Sequence, residues 1–102
     1  LVKWRQFAPS TTHLFNTYGQ TECTAVTTCA EITSDLAGGI IPLGKPVQNV
    51  SVHIFDEQLQ PTPLGQSGEL YVAGPGLARG YLDQPELTAN KFINFPNDSK
   101  LN

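Results

Sequence analysis

Positions 16–22 read "NTYGQTE", and the residue types in that run can do chemistry together. Tyr18 offers a flat ring on which a base can stack, a contact worth roughly 1–3 kcal/mol. Gly19 lacks a β-carbon, so the backbone can bend there and approach a ligand closely. Thr21 and Glu22 then supply a hydroxyl and a carboxylate, the hard oxygens that Mg²⁺ shares with phosphates. The same letters also suit a plain connecting turn. Tyr18 would then be a core aromatic at a strand end. Glu22 would be a solvated acid or a helix-start residue.

The elements that must position these residues come from the flanking patterns. "HLFNTY" before the glycine is short, apolar and β-prone, and reads as a strand. "CTAVTTCAEIT" after it is crowded with β-branched residues (Thr24, Val26, Thr27, Thr28, Ile32), which suit a pleated surface, so it reads as a second strand. "LVKWRQFAP" reads as the end of a helix stopped by Pro9. "SDLAGGIIPLGKP" reads as loop. "VSVHIF" and "GELYVAG" both alternate, with Val50, Val52 and Ile54 on the apolar face of the first and Leu70 and Val72 opposite Glu69 and Tyr71 in the second. The proline- and glycine-rich stretch between them makes them an antiparallel pair joined by a long loop. "DQPELTANKF" reads as a helix, with Pro85 at its first position and Glu86 favoured by the helix dipole. The whole reads as mixed α+β, a β-rich piece with short helices.

Composition limits the function classes. The chain has 102 residues, enough for one small domain with a modest core. Six Lys+Arg against nine Asp+Glu give a net charge of −3 with no basic run, which disfavours a surface built to neutralise nucleic-acid phosphates. No apolar stretch approaches the roughly 20 residues of a membrane span, and no charged-then-apolar leader is visible. Absence of Met points to an internal piece of a longer chain. Cys23 and Cys29 lack the paired spacing of a zinc framework and read as reduced, half-buried thiols of a cytoplasmic protein.

"NTYGQTE" followed by "GELYVAGPGLARGYL" at positions 68–82 resembles the adenylate-forming enzymes, most closely the adenylation (amino-acid-activating, AMP-binding) domains of nonribosomal peptide synthetases. The two match that family's N-x-Y-G-x-T-E and G-E-L-x-x-x-G-x-x-x-A-R-G-Y-L motifs in order. "PLGKPVQN" and "QPELTANKFI" are similar to the family too, so the likeness covers nearly the whole chain. Gln20 departs from the proline usual in peptide synthetases. The resemblance implies a partial subdomain, a distorted antiparallel β-barrel-like sheet plus short helices. Residues 1–33 would carry the strand and the nucleotide/substrate segment, and residues 34–102 a β-rich subdomain with a short C-terminal helix.

That resemblance also assigns roles. Asn16 would border the adenine, Tyr18 would stack on it, and Gly19 would shape the turn beneath it. Thr21 would contact the α-phosphate and Glu22 would help hold Mg²⁺. Thr17, Ala25 and Val26 would line the amino-acid side-chain pocket, an uncharged stretch of its wall. The implied reaction joins an amino acid to ATP and passes the acyl group to the phosphopantetheine thiol of a carrier domain, with the rest of the adenylation domain and a condensation domain as further partners. The family's lysine-bearing phosphate loop, its ribose-binding T-G-D and its later lysine are not in these 102 residues, so the piece alone is expected to be inactive. An acyl- or aryl-CoA ligase of the same superfamily and a non-enzymatic β-rich interaction module are the alternatives. Arg79 could reach a phosphate with its guanidinium fork or pair with a structural carboxylate, and the structural reading is preferred. Asp56 and Glu57 read as solvated loop acids. His13 and His53 lack the Ser, Cys or Asp partners of a triad.

Overall fold

Alternating, β-branched segments interrupted by glycine and proline favour short strands over long helices, and that is what forms. The computed structural model describes residues 6–33 and 39–94. Five strands run in chain order: β1 (Phe15–Tyr18), β2 (Thr28–Glu31), β3 (Lys45–Pro46), β4 (Ser51–Phe55) and β5 (Glu69–Ala73). A 3-10 turn (Thr21–Cys23) lies between β1 and β2, and one helix, α1 (Pro85–Lys91), follows β5. The strands form two open antiparallel sheets, β1-β2-β3 and β4-β5.

The β4–β5 hairpin obeys the alternation closely, with Ser51 opposite Ala73 through to Phe55 opposite Glu69. Its loop is held by Asp56, whose Oδ1 accepts the backbone N–H groups of Gln58 and Gln60 at 2.9 and 2.8 Å. Asp56 is therefore a turn-forming acid and not merely a solvated one. The expected apolar face is corrected: Ile54 is 46% exposed, whereas Phe55 on the other face is buried at 8%. Phe55 stacks on His53 and meets Tyr71 edge-on, with centroids 5.6 and 5.3 Å apart. A ring with aromatic partners on its own face outweighs the branched aliphatic beside it.

In the first sheet β1 pairs with β2, Tyr18 opposite Thr28 and Phe15 opposite Glu31. Two expectations are corrected here. The second strand starts only at Thr28, because Thr24 and Ala25 adopt left-handed backbone conformations (φ 59° and 66°) that no strand accepts. Lys45 and Pro46, within the expected loop, pair with Cys29 and Thr28 as a short edge strand. Proline is tolerated there because an edge position need not donate. The sheet thus crosses residue 34. Residues 34–38 of that loop and residues 1–5 of the expected first helix lie outside the described residues. Residues 6–8 form a turn ahead of Pro9.

Little of the described chain is dry. Ile32 and Phe55 are its buried apolar side chains, and Thr27 and Thr28 are buried with them. Among the described residues the core is therefore small. Thr28 makes its burial tolerable by donating its hydroxyl to the Leu43 carbonyl at 2.7 Å. α1 begins with Pro85 at its first turn, Glu86 behind it and Lys91 in the last turn, the charge order that suits the helix dipole.

Candidate functional site

The turn between β1 and β2 is built by backbone closure around Gln20. Its carbonyl accepts the N–H groups of Cys23 and Ala25 at 3.0 and 3.1 Å, and the Tyr18 carbonyl accepts from Thr27 at 2.8 Å. Gly19 is what permits this. A β-carbon there would lie 2.6 Å from the Ala25 carbonyl oxygen and 2.7 Å from the Thr27 nitrogen. The close approach that Gly19 allows in this structure is thus that of its own chain.

Alternation along β1 puts Asn16 and Tyr18 on one face and Phe15 and Thr17 on the other. Asn16 and Tyr18 are half-buried, whereas Phe15 and Thr17 are exposed. Asn16 Nδ2 donates to the Pro42 carbonyl at 2.8 Å. Gln20 Nε2 donates to the Tyr18 hydroxyl at 3.3 Å, which fixes one edge of that ring. Thr21 is exposed and Glu22 half-buried, both in the 3-10 turn, while Ala25 and Val26 stand exposed on the way into β2. The eight expected site residues therefore share one turn and the strand before it. They do not share one face, since Thr17 lies on the opposite side of β1 from Asn16 and Tyr18; a hollow lined by Val52, Phe55, Pro61 and Leu64 lies at the hairpin.

The second motif closes onto this turn, and that contact was not foreseen from the sequence. The Tyr81 hydroxyl donates to Glu22 Oε1 at 2.6 Å. The Ala78 N–H donates to the Glu22 carbonyl at 2.7 Å. Thr24 Oγ1 donates to the Gly76 carbonyl at 2.6 Å, a bond that helps hold Thr24 in its left-handed conformation. Three hydrogen bonds thus join residues 22–24 to residues 76–81. The available signal for Tyr81 was its place inside "GLARGYL", but a motif alone does not say which acid its hydroxyl meets. Arg79 is exposed, and among the described residues no carboxylate pairs with it. Elsewhere, His13 Nδ1 hydrogen-bonds Glu31 Oε1 at 2.5 Å.

These contacts set the local electrostatics. The Tyr81 hydrogen bond, then Glu22's own backbone N–H, hold the Glu22 carboxyl below its ordinary 4.5, against the opposing pull of burial. The same bond, with burial and the charge on Glu22, pushes the Tyr81 phenol above its ordinary 10.0. Burial raises the Cys23 thiol above its ordinary 9.0, and the charge on Glu22 adds to the rise. Cys23 and Cys29 are both half-buried free thiols.

Glu22 is therefore an ionised acid with further lone pairs beside the one Tyr81 takes. Among the described residues no group of three or more His, Cys, Asp or Glu could cage a metal. A single carboxylate suits a cation that completes its shell from phosphates and water, as Mg²⁺ does, and does not suit a zinc cage.

The chain belongs to the AMP-binding enzyme family, whose profile matches residues 1–82. Its relatives there are peptide synthetases. It is 46% identical over 87 residues to phosphinothricin tripeptide synthetase PhsC of Streptomyces viridochromogenes, covering 85% of this chain and 8% of that protein. It superposes on the N-terminal subdomain of Klebsiella oxytoca NpsA in complex with 3-hydroxyanthranilyl-AMSN (TM-score 0.70, 42% identity, 82% of this chain and 20% of that one). It also matches holo-AB3403, a four-domain nonribosomal peptide synthetase bound to AMP and glycine (TM-score 0.75, 40% identity, 82% and 6%). The chain thus spans a small fraction of the length of the relatives it matches. Among the described residues no helix is long and apolar enough to cross a membrane.

Proposed function

We propose that this chain is the nucleotide-facing part of an enzyme that activates an amino acid with ATP. The products are aminoacyl-AMP and pyrophosphate, and the acyl group then passes to the phosphopantetheine thiol of a carrier domain. The observation that carries the reading is the placement of Glu22 on a glycine-gated turn, pinned at both its carbonyl and its carboxylate by the second motif. Membership of the AMP-binding family and the AMP and glycine held by AB3403 support it.

In this reading Asn16 and Tyr18, on one face of β1, receive the adenine, and Gly19 keeps the turn below it tight. Thr21 donates its exposed hydroxyl to the α-phosphate. Glu22 would hold Mg²⁺, which when bound neutralises charge on the phosphate oxygens as the substrate carboxylate attacks. Thr17, Ala25 and Val26 offer an uncharged wall to the amino-acid side chain. Residues 1–33 carry these contacts and residues 34–102 brace them. The rest of the adenylation domain, a carrier domain and a condensation domain are the partners, and the compartment is the reducing cytoplasm. An aryl acid in place of the amino acid is the second reading, favoured by the 3-hydroxyanthranilyl group on the NpsA subdomain.

The test is pyrophosphate exchange by the full-length protein that carries this chain, against a panel of amino acids and aryl acids. Exchange should depend on one carboxylic acid and should fall by about 100-fold in Glu22→Gln, as loss of a direct ligand should cost no less than loss of an outer-shell one. Wild-type exchange in Glu22→Gln would overturn the reading.

A further inference from the structure

We infer that Tyr81 is a positioning residue for Glu22, and that α1 holds Tyr81 in that role. The inference rests on the reading of Glu22 as a contact to magnesium-bound ATP. At 2.6 Å, the bond from the Tyr81 hydroxyl to Glu22 Oε1 has the short length of a charge-assisted O–H···O⁻ contact. A glutamate on a three-residue turn otherwise samples several rotamers, and ordering it costs entropy at the moment a ligand binds. Here that ordering is done beforehand. Ala78 fixes the Glu22 carbonyl and Tyr81 its carboxylate, so both ends of the residue are held from one distant loop.

Tyr81 is itself held. Its backbone N–H donates to Thr88 Oγ1 at 2.9 Å, and its ring meets Phe92 edge-on with centroids 5.6 Å apart. Thr88 lies in the middle of α1 and Phe92 caps its end. Thr88 can come this close because position 80 is glycine: at φ +138°, a β-carbon there would sit 2.4 Å from Thr88 Cγ2. A relay of contacts therefore runs from α1 through Tyr81 to the acid. None of these side chains touches the reacting atoms in this account; they act through Glu22.

The test uses the full-length protein with Tyr81→Phe, Glu22→Gln and the double variant. Phenylalanine keeps the ring against Phe92 and removes only the donor. Calorimetry with ATP should show Tyr81→Phe weakening binding about 10-fold in Mg²⁺ and leaving it unchanged in EDTA, the scale seen when a group orienting a metal ligand is lost. In exchange assays the KM for ATP should rise while that for the carboxylic acid stays put. Added to Glu22→Gln, the tyrosine change should cost nothing more. Unchanged Mg²⁺-dependent binding in Tyr81→Phe, alongside weakened binding in Glu22→Gln, would overturn this inference and leave the functional reading standing. No effect of Glu22→Gln would overturn both. Equal losses in Mg²⁺ and EDTA, tracking a lowered melting temperature, would reduce Tyr81 to a structural staple and also overturn it.

Discussion

The β4–β5 hairpin and the β1–β2 turn are both antiparallel connections, yet they are held by different means. The hairpin is held from within: regular pairing, a loop closed by its own aspartate, and an aromatic cluster of His53, Phe55 and Tyr71. The turn closes on its own backbone at Gln20 but is tied from outside as well. It contains two consecutive left-handed non-glycine residues and buried threonines, and its ties run to residues 76–81. Backbone in sparsely populated regions persists only where its surroundings over-determine it, and such strain gathers at functional positions. One region is held by its own packing, the other depends on a distant loop.

The largest expected effect tests the scaffold. Phe55→Ala should cost the full-length protein about 3–5 kcal/mol in a denaturant melt, as for other buried phenylalanines, with the KM for ATP little changed. A large rise in that KM would mean the hairpin is not separable from the site. Next comes Gly19→Ala, whose added methyl meets main-chain atoms that cannot swing aside. It should cost about 1–3 kcal/mol and, unlike Phe55→Ala, should depress exchange by more than its stability loss explains. Proportionate losses in the two variants would erase the contrast.

The smallest effect is on pH. Glu22's carboxyl lies below 4.5 in the folded protein, so its contribution is complete above 4.5 and is lost as pH falls through the lower folded value. Tyr81's phenol lies above 10.0, so its contribution is complete below 10.0 and is lost as pH rises through the higher folded value. The stability gap between wild type and Tyr81→Phe should therefore be flat from 4.5 to 10.0 and narrow on both sides. Urea melts across that range would show it; a gap that changes between pH 6 and 8 would point to another titrating group.

How far the sequence foretold these regions follows the same division. Strands β1, β4 and β5 and the helix at Pro85 were legible because alternation and a proline at a helix start are local signals. The onset of β2 was misread because β-branched Thr24 and Val26 argue for a strand, while the bond from Thr24 to Gly76, 52 residues away, bends the chain otherwise. The short β3 was hidden since its lysine and proline carry no strand preference and merely lie beside β2. Of the candidate site, Glu22 was legible through its motif, and Tyr81 was visible as a letter without a role. Its contact spans 59 residues, and a single sequence holds no trace of that meeting.

The span between Glu22 and Tyr81 also brackets β2, β3, β4 and β5 completely. A chain must close that whole loop before the pair can meet, whereas the hairpin inside needs only its own short closure. Local pairings of this kind form in about 1–10 μs, ahead of contacts distant along the chain. On closure entropy alone, the hairpin is expected to form before the acid meets its partner.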